Sequence, residues 1–251
     1  MKIIISPAKK MREDTDWLLG TGLPVFLEKT LRLQKILKGK TGEELKALWA
    51  CNDQIAARNV ERLHTVRPEQ AKTPALLAYD GIQYQYMAPE IFQESQWSYV
   101  QEHLRILSGF YGILKPLDGV VPYRLEMQAR LSVQDGAETD FRDLYDFWGD
   151  APYRELTGGD SVILNLASKE YSKLIEKYQT PDVRIITCVF GERMDGKVRT
   201  KGTLAKMARG EMVRWLSMNQ VNQPEEVLEF QELGYVYAPE YSKKDQPVFL
   251  K

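Results

Sequence analysis

The chain has 251 residues, of which 43% are hydrophobic and 27% charged, and a formal net charge of −1. Such figures describe an ordinary globule able to bury a substantial core, and they exclude a protein that coats nucleic acid by bulk attraction. No apolar run approaches the ~20 residues of a membrane span, and Met1-Lys-Ile-Ile-Ile-Ser-Pro7 is too short for a secretory leader, so a cytoplasmic protein with no membrane partner is expected.

In chain order, Lys2-Ile-Ile-Ile-Ser6 predicts a buried strand, because β-branched residues run continuously until Pro7 stops the ladder. Lys9 and Lys10 then fall in the loop at its carboxyl end, where open α/β sheets gather ligands. Val25, Leu27, Leu31, Leu33, Ile36 and Leu37 predict a helix between Pro24 and Lys38. Thr41-Gly-Glu-Glu44 reads as the N-cap and acidic first turn of the next, continued by Leu45, Leu48, Trp49, Ile55 and Val60. Cys51 and Cys188 lie far apart among apolar neighbours and read as reduced, structural thiols.

Ala75-Leu-Leu-Ala-Tyr79 predicts a second strand, ended by Asp80-Gly81. Trp97, Val100, Leu104 and Leu107 recur at helical intervals, run into Ser108-Gly-Phe-Tyr-Gly112, and the apolar pattern then restarts. Two helices joined by a glycine turn, at about residues 97–118, is the simplest reading. Arg105 and Lys115 flank a turn whose glycines could bring backbone N–H groups against a phosphate backbone. The same residues also fit an ordinary helix cap and tight turn. If the turn grips nucleic acid, a bulky residue at Gly109 or Gly112 is expected to damage binding while stability is partly retained.

Ser161–Leu166 and Val183–Phe190 predict two further strands separated by a helix through Tyr171, Lys173 and Lys177, and Asp195-Gly196 predicts a type I′ hairpin before Lys197-Val198. A helix from Thr203 to Asn219 and closing strands at Glu232–Tyr237 and Pro247–Leu250 complete the chain. With no linker, repeat or low-complexity tract, residues 1–251 read as a single mixed α/β domain, a central sheet surrounded by helices.

Charge is segregated. Between Arg184 and Arg214 eight basic residues face three acidic ones, whereas Glu225–Lys251 holds six acids against three lysines. Within the basic stretch Lys206 and Arg209, at i and i+3, share a helix face that could bind phosphates or be merely solvated. In Pro122-Tyr-Arg-Leu-Glu-Met127, Arg124 and Glu126 would project from the same side of an extended segment, as a ligand-orienting pair or as an internal salt bridge. His64 and His103 stand alone, and Asp118, Glu126, Asp143, Asp146 and Asp150 read as caps and ion-pair partners, so neither a metal nor a cofactor is expected. Leu144, Phe147 and Trp148 read as core.

The blocks Ile5-Ser-Pro-Ala-Lys9, Leu107–Asp118, Pro122–Met127, Asp143–Asp150, Asn165-Leu-Ala-Ser168 and Ala208-Arg-Gly210 together resemble the YaaA family of bacterial peroxide-stress proteins, in the family's order over nearly the whole chain. The resemblance implies a cytosolic protein that protects cells from hydrogen peroxide by limiting free iron. It also implies DNA binding through a helix-hairpin-helix element and a positively charged cleft on a compact α/β fold. The expected contacts to double-stranded DNA, independent of sequence, are Lys9, Lys10, Arg105, Ser108, Gly109, Tyr111, Gly112, Lys115, Lys206 and Arg209. The rival reading is an enzyme acting on a nucleobase or nucleotide, with Lys9, Arg124 and Glu126 as its pocket. It requires those three side chains to converge.

Overall fold

Three consecutive isoleucines, Ile3, Ile4 and Ile5, have no solvent exposure, and they set the centre of the fold. A computed structural model describes residues 1–251 apart from positions 14, 15, 17, 134–139 and 195. Its strand Lys2–Ile5 pairs in parallel with Leu104–Ser108 on one side and Val162–Leu166 on the other. Arg184–Thr187 extends the parallel set beyond Val162–Leu166, and Gly112–Leu114 closes the opposite edge antiparallel to Leu104–Ser108. Strands covered on both faces need no alternation of apolar and polar residues, which is why the isoleucine run is continuous. A second sheet, in the order Lys197–Arg199, Val189–Met194, Val248–Leu250 and Val236–Tyr237, lies toward the C-terminus. Apolar side chains from Ile3 to Phe249 form one core through both sheets, and the whole is a mixed α/β domain with helices around the central sheet.

The helices follow their local signals. Leu27–Lys38 and Gly42–Trp49 form as expected, the latter with a capping box in which Thr41 and Glu44 satisfy each other's backbone N–H groups. Asp53–Thr65 is capped by Asn52, whose side chain accepts from Ile55 N at 2.9 Å. Lys169–Glu176 and the 18-residue helix Gly202–Asn219 also lie where periodicity places them. Val189–Met194 and Lys197–Arg199 pair antiparallel as a hairpin with Gly196 at φ +72°; Asp195, the other turn residue of that expectation, lies outside the described residues. The expected continuous strand Val183–Phe190 is divided between the two sheets. No helix among the described residues is long and apolar enough to cross a membrane.

Two expectations are corrected. Ala75–Ala78 is a buried helical turn between the two-residue strands Thr73–Pro74 and Tyr79–Asp80. The larger correction concerns residues 97–118, which hold no helix-hairpin-helix: the helix Glu94–His103 stops at Leu104, and a β-hairpin follows. Every residue of Leu104–Ser108 is buried, so the segment has no amphipathic face to hold it as a helix. The strand Lys2–Ile5, about a hundred residues earlier, supplies its hydrogen-bond partners instead.

Candidate functional site

The carboxyl ends of the parallel strands open on one cavity of about 470 Å³. Its walls come from five separate pieces of chain. Ser6–Lys10 leaves the central strand, and Asp80–Gln85 includes the start of the short helix Ile82–Met87. Tyr123–Glu126 follows the hairpin, and Ser168, Glu170 and Tyr171 begin the helix after Val162–Leu166. Lys206 and Arg209 reach in from the long helix. Open α/β sheets place ligand sites in just this position, because strand ends and helix starts leave polar groups there. Two glycines let the walls close up. A side chain at Gly81 would meet Ala8 Cβ at 2.9 Å, and one at Gly210 would lie 2.0 Å from Gln83 O, so the long helix sits directly on the short one.

Glu126 is the hub of the ionic network. Its Oε2 lies 2.9 Å from Lys9 Nζ and its Oε1 3.2 Å from Arg124 Nη2, so the three side chains singled out from distant parts of the sequence converge. Arg124 also donates to Trp49 O at 3.4 Å. Behind them Ser168 N donates to Ser6 Oγ at 2.8 Å, and Tyr84 donates to Ser6 O at 2.9 Å, tying the two parallel-strand ends together. Glu170 accepts from Gln128 N at 3.2 Å, and burial pushes its carboxyl upward from the ordinary range, the Gln128 N–H opposing that shift. The phenols are neutral at physiological pH: burial raises Tyr123 to about 12 and drives Tyr84 and Tyr171 well above their ordinary value. They offer ring faces and hydroxyls, not bases. Burial also draws the Arg209 guanidinium down from its usual value, without costing it its charge.

Of the residues expected to meet DNA, Lys9, Lys10, Lys206 and Arg209 share this cavity with Arg124 and Glu126. Lys115 is exposed but does not line it. The others are interior. Arg105 is buried and donates to Leu104 O at 2.7 Å and Gln101 O at 3.1 Å. Ser108 Oγ accepts from Phe110 N and Tyr111 N at 3.2 and 2.9 Å, and the fully buried Tyr111 accepts from Val121 N at 3.1 Å. A Cβ on Gly109 would lie 2.5 Å from Leu125 O, and one on Gly112 would lie 2.7 Å from the Trp148 ring. These five hold the hairpin against the core.

Sequence reasoning missed Gln83, Ser168 and Glu170. The signal for the last two was there: Asn165-Leu-Ala-Ser168 closes a strand and opens a helix, the usual ligand position in such sheets. The five carboxylates read as caps and ion-pair partners are so engaged. Asp118 accepts from Lys115 N at 2.8 Å, Asp143 caps Asp146 N, Asp146 pairs with Arg142, Asp150 pairs with Arg154, and Glu126 pairs as above. Among the described residues no group of three or more His, Cys, Asp and Glu side chains could hold a metal ion.

Fold and site together define an α/β protein with a cation-rich, tyrosine-walled pocket outside the ends of a parallel sheet. The family described as peroxide stress protein YaaA matches residues 1–241, and the chain belongs to that family. A UPF0246 protein of Desulfitobacterium hafniense (strain Y51) is 54% identical over 252 residues, spanning 100% of this chain and 98% of the relative. UPF0246 proteins of Lachnoclostridium phytofermentans and Agathobacter rectalis are 53% and 51% identical, over 100% and 99% of this chain and 96% and 98% of their own lengths. The family's name supports a role in peroxide stress.

Proposed function

We propose that the protein serves the peroxide-stress response by binding double-stranded DNA through the rim of the cavity, without sequence preference. The observation that supports this most is the meeting of Lys9, Lys10, Arg124, Lys206 and Arg209 around one opening, on a chain whose overall charge is near neutral. Local charge of this kind contacts phosphates and releases counterions, whereas few contacts mean modest affinity. Binding is therefore micromolar or weaker at physiological salt. In this reading damage from free iron is limited at the nucleic acid and not at a metal centre. The test is fluorescence anisotropy of a labelled duplex across a salt series, with the parent and a Lys10→Glu, Lys206→Glu double variant. Affinity should fall steeply with salt, and the double variant should bind at least about tenfold more weakly at low salt. Salt-independent affinity, or a variant that binds like the parent, would refute the reading.

A second reading, an enzyme acting on a nucleobase or nucleotide, is favoured by one observation: Glu126 is held between Lys9 and Arg124 inside the cavity, beside the half-buried Glu170. A carboxylate so placed can exchange a proton with a bound ring.

A further inference from the structure

Three buried nitrogen donors on the cavity walls have no hydrogen-bond partner among the described residues: Gln83 Nε2, Arg124 Nε and Arg209 Nε. Most buried polar groups are paired; Trp49 Nε1 and Tyr235 Oη lack partners as well, but three such donors on residues around one space favour a missing acceptor. Their situations differ. Arg124 has the carboxylate of Glu126. Arg209 pairs with no carboxylate among the described residues; burial draws it down, and the Cys188 thiol near it is pushed up to about 12 by burial and stays neutral. Glu126 is taken up by Lys9 and Arg124, and Asp80 stands opposite Lys10 in the short two-stranded ladder. The cations of the cavity therefore divide into Lys9 and Arg124, which share Glu126, and Lys206 and Arg209, which pair with no carboxylate among the described residues.

A buried guanidinium without a counter-charge is costly in an empty site and becomes an asset when an anion arrives. Gln83 is 6% exposed, and Gly210, next to Arg209, seats the long helix on the backbone of Gln83, so both orphans belong to one packed wall. Lys206, one turn before Arg209, and Lys10 add exposed ammonium groups to the same cavity. Two inner donors and two outer cations call for a compact group with several acceptor oxygens and up to two negative charges, which is a phosphate monoester more than a carboxylate. The volume of about 470 Å³ is that of a small-molecule site. Tyr84, Tyr123 and Tyr171 give it flat walls.

We propose that the cavity binds a phosphate monoester of a ring-bearing molecule, its phosphate against Arg209 and Gln83 under Lys206 and Lys10, its ring among the tyrosines. The acids around Glu126 repel a phosphate and so fix the direction of entry, ring toward Glu126. The same chemistry could be presented by a free nucleoside monophosphate or by the phosphorylated end of a nucleic-acid strand. The site goes beyond duplex binding and stands or falls separately from it.

The experiment is isothermal titration of the full chain with the four deoxynucleoside 5′-monophosphates, each against its nucleoside, and with a single-stranded 12-mer bearing or lacking a 5′-phosphate. At least one monophosphate should bind about tenfold or more tightly than its nucleoside, as hydrogen bonds to a charged group require. A 12-mer that binds only when phosphorylated identifies the strand end as the source; monophosphate binding without it identifies the free nucleotide. Arg209→Met and Gln83→Glu should each weaken monophosphate binding about tenfold or more. Their unliganded thermal midpoints should equal or exceed the parent's, because one removes the uncompensated charge and the other supplies its carboxylate. Four monophosphates that bind no better than their nucleosides overturn the proposal, whatever the duplex titration shows. So do folded variants of both kinds that bind like the parent.

Discussion

The hairpin Leu104–Leu114 and the cavity wall carried by Gln83, Arg124 and Arg209 both hold buried polar groups, rest on glycines and lie close to the ends of the parallel strands, yet they differ in one respect. In the hairpin the polar atoms find partners within the protein. Ser108 Oγ takes two backbone N–H groups and contacts Tyr123 Oη at 2.7 Å, and Gly109 O accepts from Trp148 Nε1 at 3.0 Å. In the cavity wall three donors find none. Satisfied polar groups hold a fold together, and unsatisfied ones in a cavity wall call for an explanation, of which a ligand is one. By that criterion the hairpin, so prominent in the sequence, is structure, and the cavity is the candidate site.

The comparison can be broken most forcefully at Gly112. With φ at +73° and Trp148 2.7 Å from the position of a Cβ, Gly112→Val should cost on the order of 3 kcal/mol or more. Denaturant melts measure this. Binding should be lost only in proportion to folding, which reverses the sequence-based expectation of impaired binding with stability partly retained; a folded Gly112→Val that fails to bind DNA would restore the hairpin as a contact.

Asp118, at the end of the hairpin segment, gives the next effect. Burial lifts its carboxyl from 3.8 to about 6, against the Lys115 N–H that favours the ion. The folded state therefore holds its proton more tightly than the unfolded chain, and stability falls as pH rises between about 4 and 6. Asp118→Asn removes that penalty while keeping an acceptor. The variant should be more stable by roughly 2–3 kcal/mol at pH 8, with the gain shrinking to nothing below about pH 4. Melts at several pH values would show it, and a gain independent of pH would contradict the burial argument.

The smallest effect on stability is expected in the cavity. Lys9 is largely exposed and adds little, while the mostly buried Arg124 keeps a neutral acceptor in the glutamine, so Glu126→Gln should cost about 1–2 kcal/mol. If Glu126 transfers protons, the same change should abolish peroxide survival in cells relying on this protein while duplex affinity is nearly intact. Survival that merely follows the thermal midpoint would make Glu126 a strut, like the hairpin residues.

What could be read without coordinates was whatever is encoded locally. Ile3–Ile5 declares a buried strand, Thr41 with Glu44 declares a helix start, and the spacing from Gly202 to Asn219 declares a helix, because caps and periodicity act over a few residues. Lys9, Arg124 and Glu126 could be singled out as chemistry-bearing types, and the lysine after the first strand by its topological position. The state of Leu104–Ser108 could not be read, since a short run buried on all sides has no period and the choice between helix and strand fell to Lys2–Ile5, far away in the chain. Nor could Gln83 be recognised. Its meaning lies in an absent hydrogen bond beside a guanidinium without counter-charge, and only the packing of the long helix at Gly210 puts the two around one space. Sequence by itself determined the elements and the residue types available for binding. Tertiary structure decided which polar groups are satisfied, because satisfaction depends on partners that the chain brings together only when folded.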